Sequence, residues 1–262
     1  MRTLTLVLGS GRGSGQRAKS REGGNVFSGL LSLGPLHKRG RLDGRPWWRA
    51  NDARRSSILA KGVIHLGSKH FDKYRERLFD GVIPRRYADL SRLVPGRRIC
   101  EVGCAEGVLP LILAREGRSA LGIEMSRKRL ETAFALKTKW SDMGFDVAEA
   151  RFALGTWQEN RHRLDSYDTL VLIRVIYYLG DEIDRHMDSI PESIETIVLG
   201  GNPSRVKEYE RGDESASTVK VGEYGYYSTA DGMRALLVRH GFTNVQSELT
   251  CDNEPIVIGR RT

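Results

Sequence analysis

From Arg97 to its C-terminal end the chain alternates between short strand-like and longer helix-like segments. Strands are expected at Arg97–Val102, Ser119–Glu124, Asp146–Phe152, Tyr167–Ile173 and Ile194–Leu199. Helices are expected at Gly107–Glu116, Ser126–Met143 and Asp181–Ser189, with Gly117 and Gly144 standing where the first two should stop. Ser228–His240 reads as a further helix, opened by a capping box, Ser228-x-x-Asp231, and stopped by Gly241. The closing strands, Asn244–Thr250 and Pro255–Arg260, are joined by the turn Cys251–Glu254 and read as a hairpin. Parallel neighbours need crossover connections, so this alternation calls for a parallel sheet covered on both faces. The expected fold class is α/β: a doubly wound, mostly parallel seven-stranded sheet whose C-terminal hairpin makes an antiparallel edge.

Two helices should precede that sheet. Ser68–Phe79 is amphipathic, with Phe71, Tyr74 and Leu78 on one face, and Pro84–Leu93 begins with the proline that suits a first helical turn. Residues 61–95 therefore read as cap helices ahead of a domain spanning 96–262. Residues 1–60 differ in kind. They hold 10 Gly, 7 Ser and 12 Lys or Arg, with no sustained apolar period. Such a composition cannot offset the entropy of ordering, and a disordered extension is expected. Gly9-Ser-Gly-Arg-Gly-Ser-Gly15 imitates a phosphate loop, but Lys19-Ser-Arg-Glu-Gly-Gly24 follows where an apolar helix would have to begin.

The charge divides at the same place. The whole chain carries 42 Lys and Arg against 33 Asp and Glu, a formal charge of +9. Residues 1–60 hold 12 of the basic and 3 of the acidic side chains, and residues 61–262 hold 30 of each. The basicity that would suggest nucleic acid belongs to the extension, and the body is balanced. Apolar runs such as Val108–Ala114 are far short of the ~20 residues a membrane helix needs. Leu4–Leu8 is too short for a secretory core, and no membrane partner is expected. Three cysteines, Cys100, Cys104 and Cys251, make neither a disulfide framework nor a Cys-x-x-Cys zinc site. No metal is expected, and a reducing cytoplasm is the default compartment.

The stretch Arg98-Ile-Cys-Glu-Val-Gly-Cys-Ala-Glu-Gly-Val-Leu-Pro-Leu-Ile-Leu-Ala114 carries the chemistry. A strand ends in Glu101-Val-Gly103, and a tight turn leads to Gly107 and an apolar helix. In doubly wound sheets the ligand lies at the carboxyl ends of the strands, beside such a turn. Gly103 lets a ligand approach the backbone, and the helix N-terminus favours an anionic group. The turn lacks the Gly-x-Gly-x-x-Gly spacing of a dinucleotide loop, and Glu106 and Glu101 would oppose a pyrophosphate. A ligand with one carboxylate and one ammonium suits it better. Seventeen residues after Gly107, Glu124 ends the second strand, where a carboxylate can accept both hydroxyls of a ribose; a helix-capping acid for Ser126 onward is the competing role. Met125 next to it can lie against a purine.

With these residues in view, Glu101-Val-Gly-Cys-Ala-Glu-Gly107 and Gly122-Ile-Glu124 resemble motifs I and II of class I S-adenosylmethionine-dependent methyltransferases. The resemblance covers roughly residues 84–262. It departs from the family pattern at Ala105, where the middle glycine of motif I would stand. It implies a Rossmann-like methyltransferase fold and S-adenosyl-L-methionine as cofactor. It further implies that Glu101, Gly103, Cys104, Ala105 and Gly107 cradle the methionine half and that Glu124 holds the ribose. Adenine would lie around Leu154-Gly-Thr-Trp157, with Thr156 the nearest polar side chain and Trp157 either a stacking wall or a core residue. Arg174, at the end of the fourth strand, can pair with the methionine carboxylate or with an anionic substrate.

No residue declares itself as a catalytic base. The candidates are His70, together with His65 on the cap, and Tyr177, which can line the methyl pocket or fill the core. Lys69 and Tyr74 are further cap contacts. The polar stretch Gly201–Tyr227, ending in Tyr224, Tyr226 and Tyr227, is long enough to contribute to an acceptor pocket. The sequence reading is a methyltransferase acting on an O or N atom of a small molecule, a sugar or another metabolite. The competitors are an RNA methyltransferase that grips phosphates with its basic extension, around Trp47-Trp48, and a catalytically silent cofactor-binding module.

Overall fold

A computed structural model describes residues 69–210 and 225–261. All of these lie within one compact unit, Val63–Thr262. The expectations for residues 1–60, His65 and Tyr224 fall outside the described residues.

Seven strands form a single sheet: β1 (Arg98–Val102), β2 (Ser119–Glu124), β3 (Ala150–Leu154), β4 (Thr169–Ile173), β5 (Thr196–Gly200), β6 (Asn244–Leu249) and β7 (Pro255–Arg260). Their order is β3-β2-β1-β4-β5-β7-β6. The first five are parallel, with β1 paired to both β2 and β4. β7 runs antiparallel to β5 and to β6. The direction of winding reverses between β1 and β4, so their carboxyl ends open a crevice there.

The helices are α1 (Lys69–Phe79), α2 (Arg85–Leu93), α3 (Val108–Arg115), α4 (Arg127–Asp142), α5 (Trp157–Asn160), α6 (Ile183–Asp188), α7 (Pro203–Glu210) and α8 (Ala230–Arg239). The strands' alternating side chains feed two cores. Ile99, Val171, Val198 and Ile256 pack with Leu90 and Leu93 of α2 and with Leu109 and Leu113 of α3. Cys100, Leu172, Leu199 and Val257 pack with Ile183 and Met187 of α6 and with Met233 and Leu236 of α8. A strand buried on both faces is apolar throughout, which is why Thr169–Ile173 reads as one run. Phe71 and Leu78 of α1 are fully buried against α3 and α4. Trp140 donates its indole N–H to the Leu78 carbonyl at 2.6 Å and ties the cap helix to the domain.

Three local expectations give way. β3 starts at Ala150 rather than Asp146, because Asp146 folds back to accept from the Ala148 N–H and leaves a turn there. α8 is capped by Thr229, whose hydroxyl accepts from the Gly232 N–H at 3.0 Å. Ser228 sits one step earlier in a 3-10 turn, so the expected capping box does not form. The polar stretch after β5 contains a helix, α7, rather than being loop throughout.

Candidate functional site

The turn after β1 is built from backbone geometry that few residues adopt. Gly103 has φ +74° and Gly107 φ +70°, and between them Ala105 is held at φ +50°. A left-handed conformation costs a residue with a Cβ about 1–2 kcal/mol, so Ala105 is strained where the resemblance places a glycine. A side chain at Gly103 would lie 2.5 Å from Cγ2 of Val175, so this turn and the end of β4 touch. Gly107 then opens α3, whose first turn contains no acidic residue.

Three carboxylates converge on this turn, and all are buried: Glu101 at 6% exposure, Glu106 at 2% and Glu124 at 6%. Glu124 accepts from the Ala105 N–H at 3.0 Å and from the Ser126 N–H at 2.8 Å, one bond to each oxygen. Each oxygen therefore keeps a lone pair, and the capping and ligand-binding roles are compatible. Arg129 reaches over from α4, at 3.9 Å from Glu106 and 3.8 Å from Glu124. Glu101 Oε2 is buried with no hydrogen-bond partner among the described residues. Burial pushes the Glu101 carboxyl up to about 8, against the pull of Arg86, and Glu124 adds to the rise. Burial and the same carboxylates push the Cys104 thiol far up, so it is inert as a nucleophile. The arrangement is an acidic recess in which Arg129 stands beside Glu106 and Glu124, and Glu101 Oε2 has no hydrogen-bond partner among the described residues.

A second constellation adjoins it. Arg86 of α2 and the fully buried Glu254 form a two-bond pair, Nε–Oε2 at 2.8 Å and Nη2–Oε1 at 2.9 Å. Arg174, at the end of β4, adds Nε–Oε1 at 2.6 Å from a backbone held at φ +59°. Tyr87 of α2 feels the fields of Arg86, Glu106, Glu101 and Arg174, and burial raises its hydroxyl to about 12.

No family model matches the chain, and no curated protein matches it by sequence. Solved structures do match. A SAM-dependent methyltransferase from Thermotoga maritima aligns over 74% of this chain and 97% of its own, at 15% identity and a TM-score of 0.50. The magnesium protoporphyrin IX methyltransferase of Synechocystis PCC 6803, solved with bound SAM, aligns over 80% of this chain and 90% of its own, at 18% identity and a TM-score of 0.45. The fold is that of the class I methyltransferases.

On this methyltransferase fold, Glu101, Gly103, Cys104, Ala105, Gly107 and Glu124 lie together in or beside the turn after β1. Met125 follows Glu124 at the carboxyl end of β2 and is 71% exposed. The two residues expected around the adenine, beyond β3, open α5. Thr156 spends its hydroxyl and N–H in a capping box with Glu159, which starts α5. Trp157 is in the core, stacked on His186 at 5.1 Å, and does not form an open wall. Arg174 does not stand alone at the strand end; it is tied to Glu254.

Tyr177 is buried and accepts from Asn202 Nδ2 at 3.1 Å. Burial raises its hydroxyl to about 12, so at neutral pH it keeps its proton and is unsuited to act as a base. His70 lies in the first turn of α1. Arg86, Tyr87, Glu254 and Asn202 were not visible as site residues in the sequence. Their only local signal is charge or polarity beside an apolar run, and their meeting depends on the sheet. Among the described residues no His/Cys/Asp/Glu group could hold a metal, and no helix is long and apolar enough to cross a membrane. A pocket of about 490 Å³ lies at the amino ends of β1, β4 and β5, lined by Gly96, Arg98, Asp168 and Glu195 among others. It is at the opposite end of the sheet from the turn, and ligands of doubly wound sheets bind at the carboxyl ends.

Proposed function

We propose that this chain is an S-adenosylmethionine-dependent methyltransferase that acts on an O or N atom of a small molecule. The observation that carries this reading is the recess of three buried carboxylates around a left-handed turn, with Glu101 Oε2 unpartnered. A buried carboxylate is tolerated when it is paired, and an ammonium and a sulfonium are the charges this recess calls for. A pyrophosphate would meet like charge. Glu101 would take the methionine ammonium, the N-terminus of α3 its carboxylate, and Glu124 the ribose hydroxyls through its remaining lone pairs. Met125 would lie along the adenine.

When bound, S-adenosylmethionine supplies a methyl group on a positive sulfur that an acceptor lone pair can displace. The chain's own contribution is then mostly placement, which is worth up to about 7–11 kcal/mol of a barrier when geometry is right. Of the other described histidines, His186 stacks on Trp157, His240 is held by Asp184 and Asp188, and His162 lies in the 3-10 helix Arg161–Ser166 after α5. The balanced charge of residues 61–262 favours a small acceptor over RNA.

Calorimetry with S-adenosylhomocysteine and with NAD tests the reading. The first should bind and the second should not. Glu124→Ala should weaken S-adenosylhomocysteine at least tenfold, since it removes a charged acceptor of two hydroxyls. NAD binding alone would overturn the proposal. A tritiated-methyl transfer screen with the full chain and with a chain lacking residues 1–60, across metabolite and RNA pools, would then identify the acceptor class. Labelling of RNA that disappears with the extension would favour the nucleic-acid competitor.

A further inference from the structure

We infer that the methyl acceptor is a carboxylate-bearing molecule and that Arg174 is the residue that recognises it. This rests on the methyltransferase reading above and adds the chemical class of its substrate. Arg174 stands at the carboxyl end of β4, on the border of the crevice, next to the residue that packs on Gly103. Its φ of +59° is a conformation that side-chain-bearing residues avoid, so the surrounding structure enforces the direction of this side chain. The side chain is held by Glu254, which immediately precedes β7 and is wholly buried.

That anchor decides which half of the crevice Arg174 serves. The recess of Glu101, Glu106 and Glu124 lies over β1 and β2. Glu254 belongs to the β5–β7 side. The anchor of Arg174 therefore lies on the side of β4 away from β1 and β2, the half of the sheet left for a second molecule. Only its Nε is engaged, and among the described residues nothing accepts from its two terminal nitrogens. The side chain is 27% exposed, whereas Arg86, the other partner of Glu254, is 5% exposed and uses two nitrogens on the carboxylate.

Charge sets the ligand. Two guanidiniums share one carboxylate, which leaves one positive charge, and the unengaged part of Arg174 is a planar pair of terminal N–H groups. A planar monoanion that accepts two parallel hydrogen bonds matches this fork. A tetrahedral dianionic phosphate suits it less, because it matches a planar fork poorly and carries one charge more than the single positive charge offsets. Glu254 is a positioning residue in this account, since it aims Arg174 and touches no ligand.

The test uses the full chain saturated with S-adenosylhomocysteine, and ligand-observed NMR titrations with benzoate, benzamide and inorganic phosphate. Benzoate should bind at least tenfold more tightly than benzamide or phosphate. Arg174→Gln should weaken benzoate at least tenfold while changing S-adenosylhomocysteine affinity less than twofold. Arg174→Lys keeps the charge but not the fork, and should fall between the two while folding as the parent does. Equal benzoate binding by Arg174→Gln, or tighter binding of phosphate, overturns the inference. A parallel loss of S-adenosylhomocysteine affinity also overturns it, by placing Arg174 on the cofactor. Failure of S-adenosylhomocysteine to bind the parent chain would instead strike the methyltransferase reading, and benzoate titrated into the ligand-free protein still reads the anion site.

Discussion

Neutralising Glu101 should stabilise the ligand-free protein, although this residue is central to the site. Its carboxyl titrates at about 8 in the fold against an ordinary 4.5. The sign follows from proton counting. Below pH 4.5 both the folded and the unfolded chain hold the proton, and the shift has no effect. Between pH 4.5 and 8 the unfolded chain has lost a proton that the folded chain keeps, so stability falls as pH rises. At about 1.36 kcal/mol per pH unit, the loss reaches about 3 kcal/mol by pH 7. Glu101→Gln has the same shape and cannot titrate. Urea unfolding of both proteins without ligand, from pH 4.5 to 8, should show the parent losing about 3 kcal/mol more than the variant by pH 7. A ligand ammonium beside Oε2 should expel the proton. Calorimetry at pH 7 should then give a binding enthalpy that varies with the buffer for the parent and much less for the variant. Parallel stability curves, with no change in relative stability across this range, would refute the claim that burial outweighs Arg86 and raises the Glu101 carboxyl.

Two further substitutions probe the frame. Glu254→Ala leaves Arg86 buried without its carboxylate, and equilibrium unfolding should report a loss of about 3–5 kcal/mol; a loss below about 1 kcal/mol would mean the pair is solvated. Gly103→Ala sets a methyl 2.5 Å from Val175 at φ +74° and should cost about 1–3 kcal/mol. Val175→Ala in the same chain should recover part of that loss, and strictly additive effects would argue against the contact.

Much of the fold could be read from short stretches. The five parallel strands and the closing hairpin lie where apolar runs and glycine stops place them, because strand and helix periods are local properties of a chain. The same holds for Glu101-Val-Gly103, Gly107 and Glu124, whose spacing along two neighbouring strands brings them to one turn. Boundaries were less legible. Asp146 had the composition of a strand start but bonds to its own turn, and Ser228 lost its capping role to the next residue. The four-residue helix opened by Thr156 and Trp157 has too little period to show in the sequence, which left the core role of Trp157 undecided.

The sequence by itself determined the succession of strands and helices, the place of the turn after the first strand and the acidic character of that turn. It also located the net charge of +9 in the first 60 residues, away from the domain. Only the tertiary structure decided what faces the recess. Arg86 and Glu254 are 168 residues apart and meet because β7 inserts beside β5, next to β4, over the end of α2. That meeting ties Arg174, at the strand end, to a buried carboxylate through its Nε. It leaves Glu101 buried without a partner of its own. Local periodicity cannot foresee either outcome, since both depend on which distant side chains the sheet order brings within hydrogen-bonding reach.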